Sequence, residues 1–291
     1  MISSCASIRF FESNNIFNIR LTYKKSNFDF KNNLWYHRGK TMYKRKEEEN
    51  LSKKIISSGL ITPEELLYIK NLYCEFVPYH NFIHALKVSE SVLMLPMQDF
   101  DIVEIKSLFV AALFHDSWHR GIAGSLDEFR SLDMAFEGIL EFEKKYNFKG
   151  IDFSIIRKAI VGTVFKNRAK NTDKYATLLA DLDIWTLGMN FLEYVFYADF
   201  PMMHELWFEN LDAWIREVGY FKFILSVDSN IYRTSYWKML FPNAHKNIKL
   251  YLDKQRLGDI SIMYKVWKES DSYDVFYNIL EKKLNYITDY L

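Results

Sequence analysis

The residues that interrupt helices are scarce in this chain, with 10 glycines and 5 prolines among 291 residues. Both fall below their usual shares, which argues against a β-rich fold with Gly- and Pro-rich corners and favours helices joined by short turns. Cysteine is nearly absent. Cys5 and Cys74 are the only two and show no paired spacing, which fits a reduced, cytoplasmic setting rather than a disulfide scaffold. No apolar run approaches the roughly 18 residues of a membrane span, and "LFVAALF" is the longest near the motifs described below. An excess of either charge is missing too. With 38 basic and 37 acidic side chains the formal balance is +1, so neither a membrane surface nor nucleic acid is expected as a partner. No segment shows convincing strand alternation, and internal repeats are not evident.

What is present is helical periodicity. It becomes readable at "LITPEELLYIKNLY", where Thr62 can cap, Pro63 suits the first helical position and Glu65 completes a capping box. The pattern predicts helices at about 62–76, 81–96, 101–119, 126–146, 153–169, 173–186, 190–198, 201–228, 231–241, 243–256 and 272–290. Residues 1–46 differ, carrying ten Lys or Arg against only Glu12 and Asp29. They read as a basic, poorly ordered extension, as sequence upstream of a start at Met42, or as an organelle presequence. The expected organisation is all-α: an extension over 1–50, one helical domain over 51–257 and a C-terminal accessory helix over 258–291.

Ionisable residues interrupt the apolar runs at a few places. In "AALFHDSWHRG" the small and apolar residues lead directly to His115, Asp116 and His119. Burying such groups is costly unless something compensates their charge or lone pairs. Upstream, "PYHNFIHALKV" places His80 and His84 four apart, on one face if both are helical. Downstream, "LLADLDIWTLG" places Asp181 and Asp183 near a helix end. Each piece alone has an ordinary structural explanation. Together they offer imidazole and carboxylate ligands from three helices, a set that would hold a divalent ion.

These segments resemble the HD superfamily of metal-dependent phosphohydrolases. "YHNFIHALKV" and "LFVAALFHDSWHRG" are similar to the cyclic-nucleotide phosphodiesterases in their His spacing. "LDEFRS" at 126–131 and "DLDIWTLG" at 181–188 look more like the predicted bacterial-type HD phosphohydrolases, the branch favoured over residues 62–256. The resemblance implies an HD-domain helical bundle holding one or two divalent ions (Zn, Mn, Mg, Fe or Co). It implies His84, His115, Asp116 and one of Asp181 or Asp183 as metal ligands, the two branches pointing to different aspartates. His80 matches a general acid, His119 a residue beside the second ion, and Glu128 the acidic member of the bacterial-type element.

The implied activity is hydrolysis of a small, nucleotide-like phosphate ester by metal-activated water. Alternatives are a phosphodiesterase for cyclic mono- or oligonucleotides, a metal-binding regulatory protein with little turnover, and a di-iron oxygenase. Two departures weigh against cyclic nucleotides: the adjacent His pair expected farther along is missing, and Trp118 stands where an acidic residue is common. Arg120, Lys87 and Arg130 lie close enough in sequence to contact an anionic substrate, Arg130 within the bacterial-type element.

Overall fold

Most helices begin at caps that the sequence supplies. The computed structural model describes residues 45–74, 77–96, 98–119, 127–146, 149–207 and 230–269, and Ile279. In chain order the first elements are α1 (Arg45–Ser57), α2 (Pro63–Lys70), α3 (Phe82–Val92), α4 (Ile102–Phe114), α5 (Asp127–Tyr146) and α6 (Phe153–Thr163). A 3-10 segment (Phe165–Lys170) leads to α7 (Lys174–Asp183), and a second one (Trp185–Gly188) leads to α8 (Phe191–Tyr194). A π turn (Val195–Asp199) joins α8 to α9 (Phe200–Trp207); then follow α10 (Ser235–Leu240), α11 (Ala244–Leu252) and α12 (Lys254–Glu269). Thr62 and Asp101 close capping boxes on α2 and α4, and the side chains of Asn81, Asp152, Asp173 and Thr234 cap α3, α6, α7 and α10. These side-chain oxygens satisfy first-turn N–H groups that would otherwise lack partners. The fold is all-α, with no strand among the described residues.

Helix α4 is the centre of the packing. Its residues from Ser107 to Phe114 are all buried, the pattern of a helix enclosed on every side. It lies against α3, α5, α6 and α7, while α6 also packs closely on α7. Gly162 permits that last approach, because a Cβ there would collide with the backbone of Ala176. Asp181 ties the end of α7 to the segment before α10. Its carboxylate accepts from Arg168 Nη2 (2.8 Å), from the backbone N–H of Arg233 and Thr234, and from Thr234 Oγ1.

Several predicted boundaries move. Helix α1 begins inside the region assigned to the extension, and Leu51 and Ile55 bury it against α3. The boundary at 257/258 falls inside α12, whose Ile260, Met263 and Tyr264 are buried. Tyr264 and Tyr251 both donate their hydroxyls to Asp199, Tyr251 at 2.7 Å, which joins α12 to the core. The helix predicted over 101–119 stops at Phe114, followed by tight turns in which Ser117 N–H donates to Phe114 C=O and His119 N–H to Asp116 C=O. The helix predicted over 173–186 likewise ends at Asp183. The basic extension up to residue 44, most of the helix predicted over 201–228 and that over 272–290 except Ile279 lie outside the described residues. Among the described residues no helix is long and apolar enough to cross a membrane.

If α1 is integral to the core, Ile55→Ala should lower unfolding free energy by about 2–5 kcal/mol, as for other fully buried aliphatic truncations. Denaturant titration checks this, and an unchanged midpoint would show that α1 contributes little.

Candidate metal centre

Three helix ends deliver the four side chains. His84 sits in the first turn of α3, whose start is fixed by Asn81 Oδ1 accepting from the N–H groups of Ile83 and His84. His115 and Asp116 follow the last residue of α4, and Asp183 is the last residue of α7. The C-termini of α4 and α7 carry partial negative charge, which adds to the attraction for a cation. Each of the four offers one ligand atom, and those atoms lie within 4.8 Å of one another.

The separations match what an ion requires. His84 Nε2 is 3.0 Å from Asp183 Oδ1 and 3.6 Å from Asp116 Oδ2. His115 Nε2 is 3.0 Å from Asp116 Oδ2 and 3.4 Å from Asp183 Oδ1. With metal–ligand bonds of about 2.0–2.2 Å, neighbouring ligands sit about 3.3–3.6 Å apart in a tetrahedron and about 2.8–3.1 Å apart in an octahedron. The observed edges span both ranges.

The chemistry of the donors makes the same point. His115 Nδ1 donates to Ala112 C=O at 2.7 Å, so in the neutral ring Nε2 is the bare nitrogen. That nitrogen and Asp116 Oδ2 are buried, close together, and not aligned as a hydrogen bond. A lone pair facing carboxylates in a buried site is unfavourable unless a proton or a cation lies between them. Without an ion, the proton takes that place. Burial opposes a charged His115 ring, yet Asp116 and Asp183 push its pKa well above the ordinary value. Burial works against ionised Asp116, but His115 and then His80 hold it down at about 2. Burial likewise opposes ionised Asp183, which His115 and His84 keep below the usual carboxylate range. Burial lowers His84, leaving it neutral and able to ligate. These four residues, three of them buried, could hold a metal ion.

The two aspartates left open by the sequence separate here. Asp183 joins the histidines and Asp181 does not. Two residues along a helix amount to about 200° of rotation, so the two carboxylates face opposite sides of α7. Asp181 has both oxygens engaged by Arg168, Arg233 and Thr234, away from the group that Asp183 joins.

Beside this group stands a second. His80 and His119 stack with ring centroids 3.8 Å apart and planes 22° from parallel. Glu205, from α9, reaches both: its Oε1 lies 2.5 Å from His80 Nδ1 and 3.0 Å from His119 Nδ1. Its Oε2 accepts from the N–H groups of Tyr79 and His80 at 2.8 and 3.0 Å. Burial opposes the Glu205 charge, but the two histidines hold its carboxyl far below the usual range. Burial also opposes a charged His80, yet Glu205, Asp116 and Asp183 raise it to about 9. Glu205 had no place in the sequence reading. The signal for it was an acid in the apolar context "FPMMHELW", which demands a buried partner.

The remaining candidates are less central. Glu128, in the first turn of α5, has a buried Oε2 without a hydrogen-bond partner, and burial, with help from Asp116 and Asp183, pushes its carboxyl up. Arg130 is exposed and lies over the Trp118 ring, 5.4 Å from its centroid. Lys87, one turn beyond His84 on α3, pairs with Glu47 of α1 at 2.6 Å. Arg120 lies outside the described residues.

No protein-family model matches the chain, and a search of curated proteins finds no match. The geometry therefore stands by itself.

Elemental analysis of protein purified without added metal should find a divalent ion in the wild type and lose it in Asp116→Ala. Asp181→Asn should keep the ion but lower stability by about 3–5 kcal/mol, since it leaves Arg168 buried without its counter-charge. Equal metal content in the wild type and Asp116→Ala would contradict the ligand assignment. Affinity for the ion should fall as pH is lowered below the raised pKa of His115, because protons compete for its Nε2.

Proposed function

We propose that the chain is a metal-dependent phosphohydrolase of the HD type, acting on a small phosphate ester. The observation that carries this reading is His115 Nε2 set against Asp116 and Asp183, with His84 completing four donors at metal-ligand spacing. The ordered His and Asp motifs resembling HD phosphohydrolases supply the reaction class.

His84, His115, Asp116 and Asp183 would hold the ion. There it would supply Lewis-acid activation of water and offset phosphoryl charge. Ester cleavage also needs a proton on the leaving oxygen. His80 is the side chain prepared to give it. Its Nδ1 is committed to Glu205, which leaves Nε2–H of the charged ring as the donor, and the side chain keeps 17% of its surface exposed. Glu205 acts through His80 as a positioning residue, since it fixes the ring and supplies the charge that keeps it protonated. Glu205 makes the largest contribution to keeping the ring charged. His119, stacked on His80 and sharing Glu205, orients the pair.

Two variants test this. His80→Ala should retain bound metal and cut turnover of a phosphomonoester by at least about 100-fold. Glu205→Gln should shift the alkaline limb of kcat/KM to lower pH by about 1–3 units, because loss of an adjacent opposite charge destabilises the protonated ring. The sign follows from the direction of the shift: Glu205 raises the His80 pKa, so the ring is a donor below that raised pKa, and removing the charge brings its loss to lower pH. Full turnover in His80→Ala would remove its role. A panel of phosphomonoesters set against cyclic mono- and dinucleotides separates monoester from phosphodiester hydrolysis.

A further inference from the structure

A cavity of about 60 Å³ abuts the candidate metal centre through His84. By the usual measure this is room for on the order of four water molecules, or one small anionic group. Its walls include Glu47 of α1, His84 and Lys87 of α3, Trp185 and Thr186 of the 3-10 segment after Asp183, and Tyr197 of the π turn.

Lys87 is the cation of this cavity. Its Nζ lies 4.4 Å from the Tyr197 ring centroid and 5.8 Å from that of Trp185, so two aromatic faces hold the ammonium in place. Glu47 Oε1 pairs with it at 2.6 Å. Trp185 Nε1, on a side chain that lines the same cavity, is buried and has no hydrogen-bond partner. A buried donor left unmatched beside a fixed cation marks a place for an acceptor that carries negative charge.

The Lys87–Glu47 pair is not what attaches α1. Leu51 and Ile55 bury that helix against α3, and Lys54 pairs with Glu90 of α3 at 2.7 Å on the exposed side. Lys87 follows His84 by three residues, so their Cβ atoms lie about 5–6 Å apart on one face of α3. An anion at Lys87 and a phosphoryl group at the metal centre would therefore fit one small molecule.

We propose that Lys87 anchors a second anionic group of the substrate, a carboxylate or second phosphate, and that Glu47 shields this lysine until that group displaces it. The proposal rests on the phosphohydrolase reading and narrows its substrate class to phosphate esters bearing a second negative charge. The Glu47 carboxylate is an internal competitor. Its displacement makes the region around α1 responsive to substrate.

The test uses the full chain with its metal and two matched probes: 3-phosphoglycerate, which carries a carboxylate, and glycerol 3-phosphate, which does not. Isothermal titration should show the wild type binding 3-phosphoglycerate at least about tenfold more tightly. Lys87→Met should reduce that preference to near unity, whereas Glu47→Gln should increase affinity for 3-phosphoglycerate several-fold. Opposite effects of the two halves are what a merely structural ion pair does not produce. A wild type without preference, an unchanged preference in Lys87→Met, or equal weakening by both variants overturns the proposal. Metal content of the same preparations, compared with Asp116→Ala, reports separately on the underlying reading. Lys87→Arg, which keeps the charge, should retain most of the preference and guards against a folding defect.

Discussion

Two imidazole nitrogens and two carboxylate oxygens converge within 4.8 Å of one another in a largely buried site. Such an arrangement costs stability unless a proton or a cation resolves it, and much of the surrounding structure is arranged to enforce it. Asn81 fixes where α3 begins, and so where His84 falls. Ala112 dictates the tautomer of His115 from within α4. The burial of α4 on every side leaves its C-terminal turn little freedom to relax. Fixed donors at ion-binding distances are preorganisation, the property that lets a site bind metal without first reorganising.

The second cluster complements the first. Glu205 is satisfied on all sides by two backbone N–H groups and two imidazoles, which makes it a rigid counter-charge. In the proposed reaction the two groups divide the work. One holds the ion, and the other keeps a proton ready on His80. The backbone of residues 79 and 80 connects them, because the same turn that donates to Glu205 leads into the cap of α3.

The all-α class and the His and Asp residues that could hold a metal were legible for different reasons. Scarce glycine and proline, good caps and helical periodicity specified the class, and ionisable residues inside apolar runs exposed the site. The choice between Asp181 and Asp183 was not legible, because it depends on where α7 points and on Arg168, which lies in a different element. Glu205 was missed because one acid in an apolar helix has no local spacing that identifies its partner. The expected same-face pairing of His80 with His84, and the helix predicted to run through His119, came from extending helices past their ends. His80 precedes α3 and His119 follows α4, so turns rather than helical periodicity bring them together. Residues 45–50 looked like extension because basic residues dominate the preceding stretch, yet Glu48 makes a 2.5 Å ion pair with Lys70.

The π turn at Val195–Asp199 has a further consequence for the chain's tolerance of change. An additional residue in a helix rotates everything after it by about 100°. That rotation helps to set which way α9 presents Glu205, while Asp199 at its end is clasped by Tyr251 and Tyr264. Loss of one residue here would restore a regular helix and aim Glu205 away from His80 and His119, with every residue of the cluster still intact. Length in this segment, more than residue identity, is what mutation must conserve.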